Sequence, residues 1–69
     1  MPLSMIGLGE SATIRRVGGK EETKRFLEEL GFVVGEVVTV INQMGGNLIV
    51  SIKDSRVALG RDMASKIIV

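Results

Sequence analysis

Six carboxylates, Glu21, Glu22, Glu28, Glu29, Asp54 and Asp62, are the candidates for holding a metal ion in this chain. Carboxylate oxygens are hard donors. They suit Mg²⁺ or Ca²⁺ better than they suit tight capture of Fe²⁺ or Zn²⁺. The sequence has no histidine and no cysteine, so the commonest general base and the soft metal ligands are both missing. Glu28 and Glu29 are adjacent on an expected helix and so project about 100° apart, which does not chelate one ion. A solvated acidic face accounts for these residues better than a metal site, and the identity of any metal ligand stays open. Ser4, Ser11, Ser51, Ser55 and Ser65 have no histidine to activate them, and no catalytic residue is expected. Gly7-x-Gly9, Gly18-Gly19 and Gly45-Gly46 invite comparison with phosphate cradles, and Gly18-Gly19 precedes an expected helix, the order that suits an anion. None matches Gly-x-x-x-x-Gly-Lys-Ser/Thr, and turn chemistry explains them. Arg15-Arg16 is the one basic pair that invites a nucleic-acid reading. Trp and Tyr are absent, and Phe26 and Phe32 are both assigned to the core, so no stacking platform accompanies it.

The totals set the same limits. Sixty-nine residues bury a small core, of order 60% of the unfolded surface. Hydrophobic residues make up 45% but aromatics only 3%, so that core is aliphatic. A net charge of +1 exerts no long-range pull on phosphate or anionic lipid. No apolar run approaches the roughly 20 residues of a spanning helix. Met1 to Leu8 lacks a basic leader region and reads as an arm packed on the domain. Without cysteines no disulfide staple forms, and a reducing, cytoplasmic setting is expected.

The elements that would position these residues are short. Ser11 to Val17 reads as a first strand with Ala12 and Ile14 on one face. Val17 is out of phase with them, so a bulge or strand end is expected near Arg16. Lys20 to Leu30 reads as a helix whose stripe is Thr23, Phe26, Leu27 and Leu30. Glu21 and Glu22 suit its first turn. Gly31 suits the left-handed position after it, with Phe32 folding back over Leu27. Further strands are expected at Glu36–Ile41, Leu48–Lys53, Arg56–Leu59 and Lys66–Val69. They are separated by a hairpin loop at Met44-Gly45-Gly46-Asn47, a tight turn at Asp54-Ser55, and a short helical turn over Gly60–Ser65. Five such strands and one inserted helix predict a mainly β fold, a small antiparallel barrel. Gly9-Glu10-x-x-Thr13-Ile14 recurs as Gly35-Glu36-x-x-Thr39-Val40. This echo marks two equivalent strand starts or is coincidental, and it is too short for a solenoid repeat.

The ordered set Leu3, Gly9 to Ile14, Gly18-Gly19, Leu27-x-x-Leu30-Gly31, Gly35, Val57-Ala58-Leu59, Ala64 and Ile67-Ile68-Val69 resembles the ferrous iron transport protein A (FeoA) family. The resemblance covers nearly the whole chain and implies one FeoA-like domain over residues 1–69. It implies an SH3-like five-stranded antiparallel barrel, a helix between strands one and two, and a short helical turn before the last strand. It also implies a non-enzymatic, cytoplasmic accessory protein of ferrous iron uptake, without a cofactor, that docks on the membrane GTPase-permease FeoB and modulates it. The same domain resembles the C-terminal module of metal-dependent repressors. Direct binding of a transition metal by a regulatory domain is therefore the second reading, and a small-barrel nucleic-acid binder the third. Neither nucleic-acid binding nor membrane insertion is expected. The family usually has Pro before the second glycine, where this chain has Val34. The missing ring costs about 0.5–1 kcal/mol of turn rigidity.

Phe32-Val33-Val34 is the expected partner-binding segment, because Val33 and Val34 cannot both point inward along an extended connection. An early strand start covered by the arm is the competing account. Met44, at the hairpin tip, is the other expected contact residue, since a flexible thioether adapts to a partner.

Overall fold

A computed structural model describes all residues 1–69. The strands are β1 (Ser11–Thr13), β2 (Arg16–Val17), β3 (Val37–Met44), β4 (Asn47–Ile52), β5 (Ser55–Gly60) and β6 (Ile67–Ile68). Helix α1 (Glu21–Leu30) lies between β2 and β3, and the single turn α2 (Arg61–Ala64) precedes β6. One sheet has the order β1-β3-β4-β5 and a second pairs β2 with β6, all antiparallel. The mainly β architecture, the inserted helix and the late helical turn are as the sequence predicts.

The expected first strand is one run in sequence but two in pairing. Ser11–Thr13 pairs with β3, whereas Arg16–Val17 crosses to β6. The break falls at Ile14-Arg15, beside the expected strand end near Arg16. Ile14 donates to the Glu36 carbonyl at 2.9 Å, and Arg15 donates to the Ile68 carbonyl at 2.7 Å, so this one corner joins both sheets. The phase change of Val17 is its consequence: Ile14 and Val17 are both buried, each from a different sheet.

Alternation sets the core. Val38 and Val40 on β3, and Leu48, Val50 and Ile52 on β4, all point inward and are buried. Leu3 from the N-terminal 3-10 turn (Leu3–Met5) joins them, so the arm does pack on the domain. Ile41 is an extra residue in β3, since Val40 faces Val50 while Asn42 faces Ile49. This bulge lets the rest of β3, Asn42 to Met44, run out into solvent.

Helix α1 ends as its sequence dictates. Gly31 adopts φ 108°, Phe32 donates to the Leu27 carbonyl and Gly31 to the Glu28 carbonyl, both at 2.9 Å. These are the two bonds of a Schellman cap, and its hydrophobic contact joins Leu27 to Phe32, both fully buried. Burying Phe32 contributes about 1.5–3 kcal/mol. Two expectations are corrected. Phe26 is not core: it is 48% exposed, because it stands at the margin of a stripe centred on Leu27. The β4–β5 turn is Lys53-Asp54 rather than Asp54-Ser55, and Ser55 pairs with Ile52. Lys53 and Asp54 have φ 48° and 64°, a two-residue turn of the I′ kind built without glycine.

The echo between the two Gly-Glu segments has a structural basis. Gly9 donates to the Val40 carbonyl and Val40 donates to the Glu10 carbonyl. Gly35 donates to the Ile14 carbonyl and Ile14 donates to the Glu36 carbonyl. The two segments pair with each other about a local two-fold axis at the centre of the β1–β3 ladder. Gly9 and Gly35 occupy matching left-handed positions, at φ 83° and 96°.

Candidate functional site

The segment between α1 and β3 is built from the cap outward. Phe32 is drawn into the core by the cap, so the part of the expected contact segment left accessible is Val33 and Val34. Val33 is half-buried and Val34 is 67% exposed. Glu36 donates to the Val33 carbonyl at 3.1 Å, and Gly35 has positive φ. Val33 to Glu36 is therefore a type II β-turn with Val34 at its first central position and Gly35 at its second. A side chain at that first position is held out from the turn, which explains the exposure of Val34. It is also the position that proline favours, so the Val34 departure falls where the ring would fit. Neither valine starts β3, which begins at Val37.

The turn is anchored at both ends. Gly35 donates to Ile14 and Glu36 accepts from Ile14, which ties it to the corner between the sheets. The Lys53 ammonium lies 3.8 Å from the Glu36 carboxylate, a surface pair of little stabilising value. Val37 follows on the outer face of β3, 55% exposed and paired with Thr13. Val34 and Val37 are thus two exposed apolar side chains of one short segment. Val37 was not singled out from the sequence. The signal was available in the alternation, since inward Val38 and Val40 require an outward Val37.

Met44 lies elsewhere. It pairs with Asn47 across the Gly45-Gly46 loop and is 63% exposed. The length of β3, on the order of 20 Å, separates it from Val37. The structure therefore does not bring Met44 together with Val33 and Val34, and the two are separate contact points.

The carboxylates do not assemble. No three acidic side chains converge on a common point, and no cavity is present. Arg15 and Arg16 are both exposed, Arg15 in the break between β1 and β2 and Arg16 in β2, paired with Ile68. No helix is long and apolar enough to cross a membrane.

The model of the FeoA domain family matches residues 1–69. A protein of Methanocaldococcus jannaschii that carries the provisional name Fe(2+) transport protein A is 31% identical over 68 residues, covering 99% of this chain and 83% of its own. The crystal structure of Stenotrophomonas maltophilia FeoA complexed with zinc is 32% identical and superposes with a TM-score of 0.87, covering 99% of this chain and 87% of that one. That protein is described as a prokaryotic SH3 domain protein, with the suggestion that it acts as a bacterial ferrous iron transport activating factor. A manganese-dependent transcriptional repressor superposes with a TM-score of 0.88 at 21% identity, and the chain covers 39% of it, a likeness of fold alone. The barrel is SH3-like, as the resemblance implied.

Proposed function

The chain belongs to the FeoA family of non-enzymatic, ferrous iron transport proteins, and on that premise we propose that it docks on the cytoplasmic side of the GTPase-permease FeoB and modulates its cycle. The observation that supports this reading is the Val33-Val34-Gly35 turn. It presents an apolar side chain on a rigid mount, bonded to the helix cap behind it and to Ile14 beside it. An apolar group held in a fixed place loses little conformational entropy on docking, so its burial goes into affinity. Val37, three residues on, is a second exposed apolar side chain of the same segment. Met44 is a second, separate contact of the same accessory role.

The zinc held by the S. maltophilia relative raises a second reading, direct binding of a transition metal. Docking is preferred for this chain, because it has no histidine or cysteine and nowhere gathers three acidic side chains.

The test is binding of the protein to a cognate ferrous-iron GTPase-permease in detergent or nanodiscs. Val34→Asp should weaken binding by roughly ten-fold or more, because a charge at the centre of the contact must be desolvated without a partner. Its NMR spectrum should change only locally. If Val33→Asp and Val34→Asp both fold and bind as the unmodified protein does, this surface is not the contact.

A further inference from the structure

The second edge of the four-stranded sheet is open, and its chemistry differs from that of the first. β1, at one edge, is three residues long. β5, at the other, runs unbroken through six residues, in register with β4 from Ser55 to Gly60. The pair flanking a two-residue hairpin turn is hydrogen-bonded, and here that pair is Ile52 and Ser55. Alternation then turns the backbone groups of Val57 and Leu59 toward β4 and those of Arg56 and Ala58 outward. No backbone bond beyond the sheet ladder involves Arg56 or Ala58, and both residues are exposed. The edge has no proline, no bulge and no covering strand, and Arg56 is its one charged residue.

We propose that the outer edge of β5 pairs antiparallel with β5 of a second copy of this chain, joining the two sheets into one. The edge is complementary to itself. A two-fold axis through Val57 places Arg56 opposite Ala58 of the second copy and Ala58 opposite Arg56 of the second copy. In that register all the outward N–H and C=O groups of both residues are satisfied in two reciprocal pairs. The one charge on the strand stands directly opposite a methyl group and its own copy is only a diagonal neighbour, so no like-charge pair is directly opposed. Val57, half-buried in one copy, covers its symmetry mate on the inner face. The area is modest. Six residues a side is well below the roughly 20–30 of a standard stable interface, so the pair forms reversibly and depends on concentration. This inference rests on the backbone of β5 and does not depend on the docking reading.

Sedimentation velocity and ¹⁵N–¹H NMR over about 10 µM to about 1 mM test it, a range chosen for a weak association. The expected result is a concentration-dependent dimer, with the Arg56 and Ala58 amides among those that shift most. Ala58→Pro removes an N–H that the single copy leaves unused, a substitution that edge strands accept, and should abolish association. Ala58→Lys keeps the N–H but sets a positive charge opposite Arg56 of the second copy, twice by symmetry. It should weaken association by roughly 2- to 30-fold. Combining Arg56→Glu with Ala58→Lys turns both contacts into opposite-charge pairs and should restore association above that of Ala58→Lys alone. The proposal is overturned if the protein stays monomeric at about 1 mM, if the shifting amides lie away from β5, or if the double variant pairs no better than Ala58→Lys.

Discussion

Val34 and Met44 are almost equally exposed, at 67% and 63%, yet they stand on turns built in different ways. Val34 is in a type II turn whose neighbours are all committed: Phe32 is in the core, Gly35 bonds to Ile14, and Glu36 bonds to Ile14 and pairs with Lys53. Met44 closes a Gly45-Gly46 loop beyond the β3 bulge, and the loop is held by the pairing of Asn47 with Gly60 and by Arg61, which donates to the Gly46 carbonyl. Equal accessibility therefore conceals different supports. The difference comes from what lies behind each turn: a buried aromatic cap in one case, and the solvent-exposed end of the β3–β4–β5 sheet in the other.

The largest expected effect falls behind the Val34 turn. Leu27→Ala removes the side chain on which Phe32 rests and should cost about 2–5 kcal/mol, a large share of the stability of so small a domain. Chemical denaturation would measure it. A midpoint that barely moves would mean the cap does not hold the turn, and the contrast with Met44 would collapse. A smaller effect of opposite sign is expected at Val34. Its amide donates no backbone hydrogen bond, and the first central position of a type II turn matches the φ of proline. Val34→Pro should stabilise the fold by about 0.4–1 kcal/mol through the unfolded chain, read as a raised midpoint in the same titration. Destabilisation there would show that the turn departs from type II geometry. At the other site, Met44→Ala should change stability by no more than about 0.5 kcal/mol, the usual range for a surface position with no special contact. A larger loss would show that the Met44 side chain is anchored after all.

Much of this was legible in the residues. The Leu27, Gly31 and Phe32 spacing specifies a helix end with a left-handed glycine and a returning apolar residue, and the cap follows from local rules alone. The hairpin at Gly45-Gly46 is equally local. What escaped depends on information that lies farther along the chain. The division of Ser11–Val17 is set by two different partner strands, and no periodicity within seven residues names those partners. The β4–β5 turn was displaced by one residue because Lys53 and Asp54 adopt left-handed conformations without glycine as a marker. Phe26 sits at the edge of a stripe on which the three-to-four spacing cannot separate a buried residue from a half-covered one. The candidate contact surface was found in part: Val33 and Val34 from their crowding in one connection, Val37 not at all. Phe32 was expected over Leu27 as part of the cap and is found there, which leaves Val33 and Val34 as the accessible part of the segment.

The crossing at Ile14-Arg15 has a kinetic consequence. β3, β4 and β5 are successive hairpins, and each closes a loop of only a few residues. Arg16 meets Ile68, by contrast, across most of the length of the chain. The loop entropy of that contact must be overcome before its few hydrogen bonds return anything, so the meander should zip first and the two-stranded sheet should close last. The same ordering, run backwards, makes the β2–β6 pair the first to open in the native ensemble. Amide hydrogen exchange should find Arg15 and Gly18, which donate to Ile68 and Lys66, less protected than Val50 in the middle of the larger sheet. Uniform protection across all three would mean that the barrel opens and closes as a single cooperative unit, with no weaker seam.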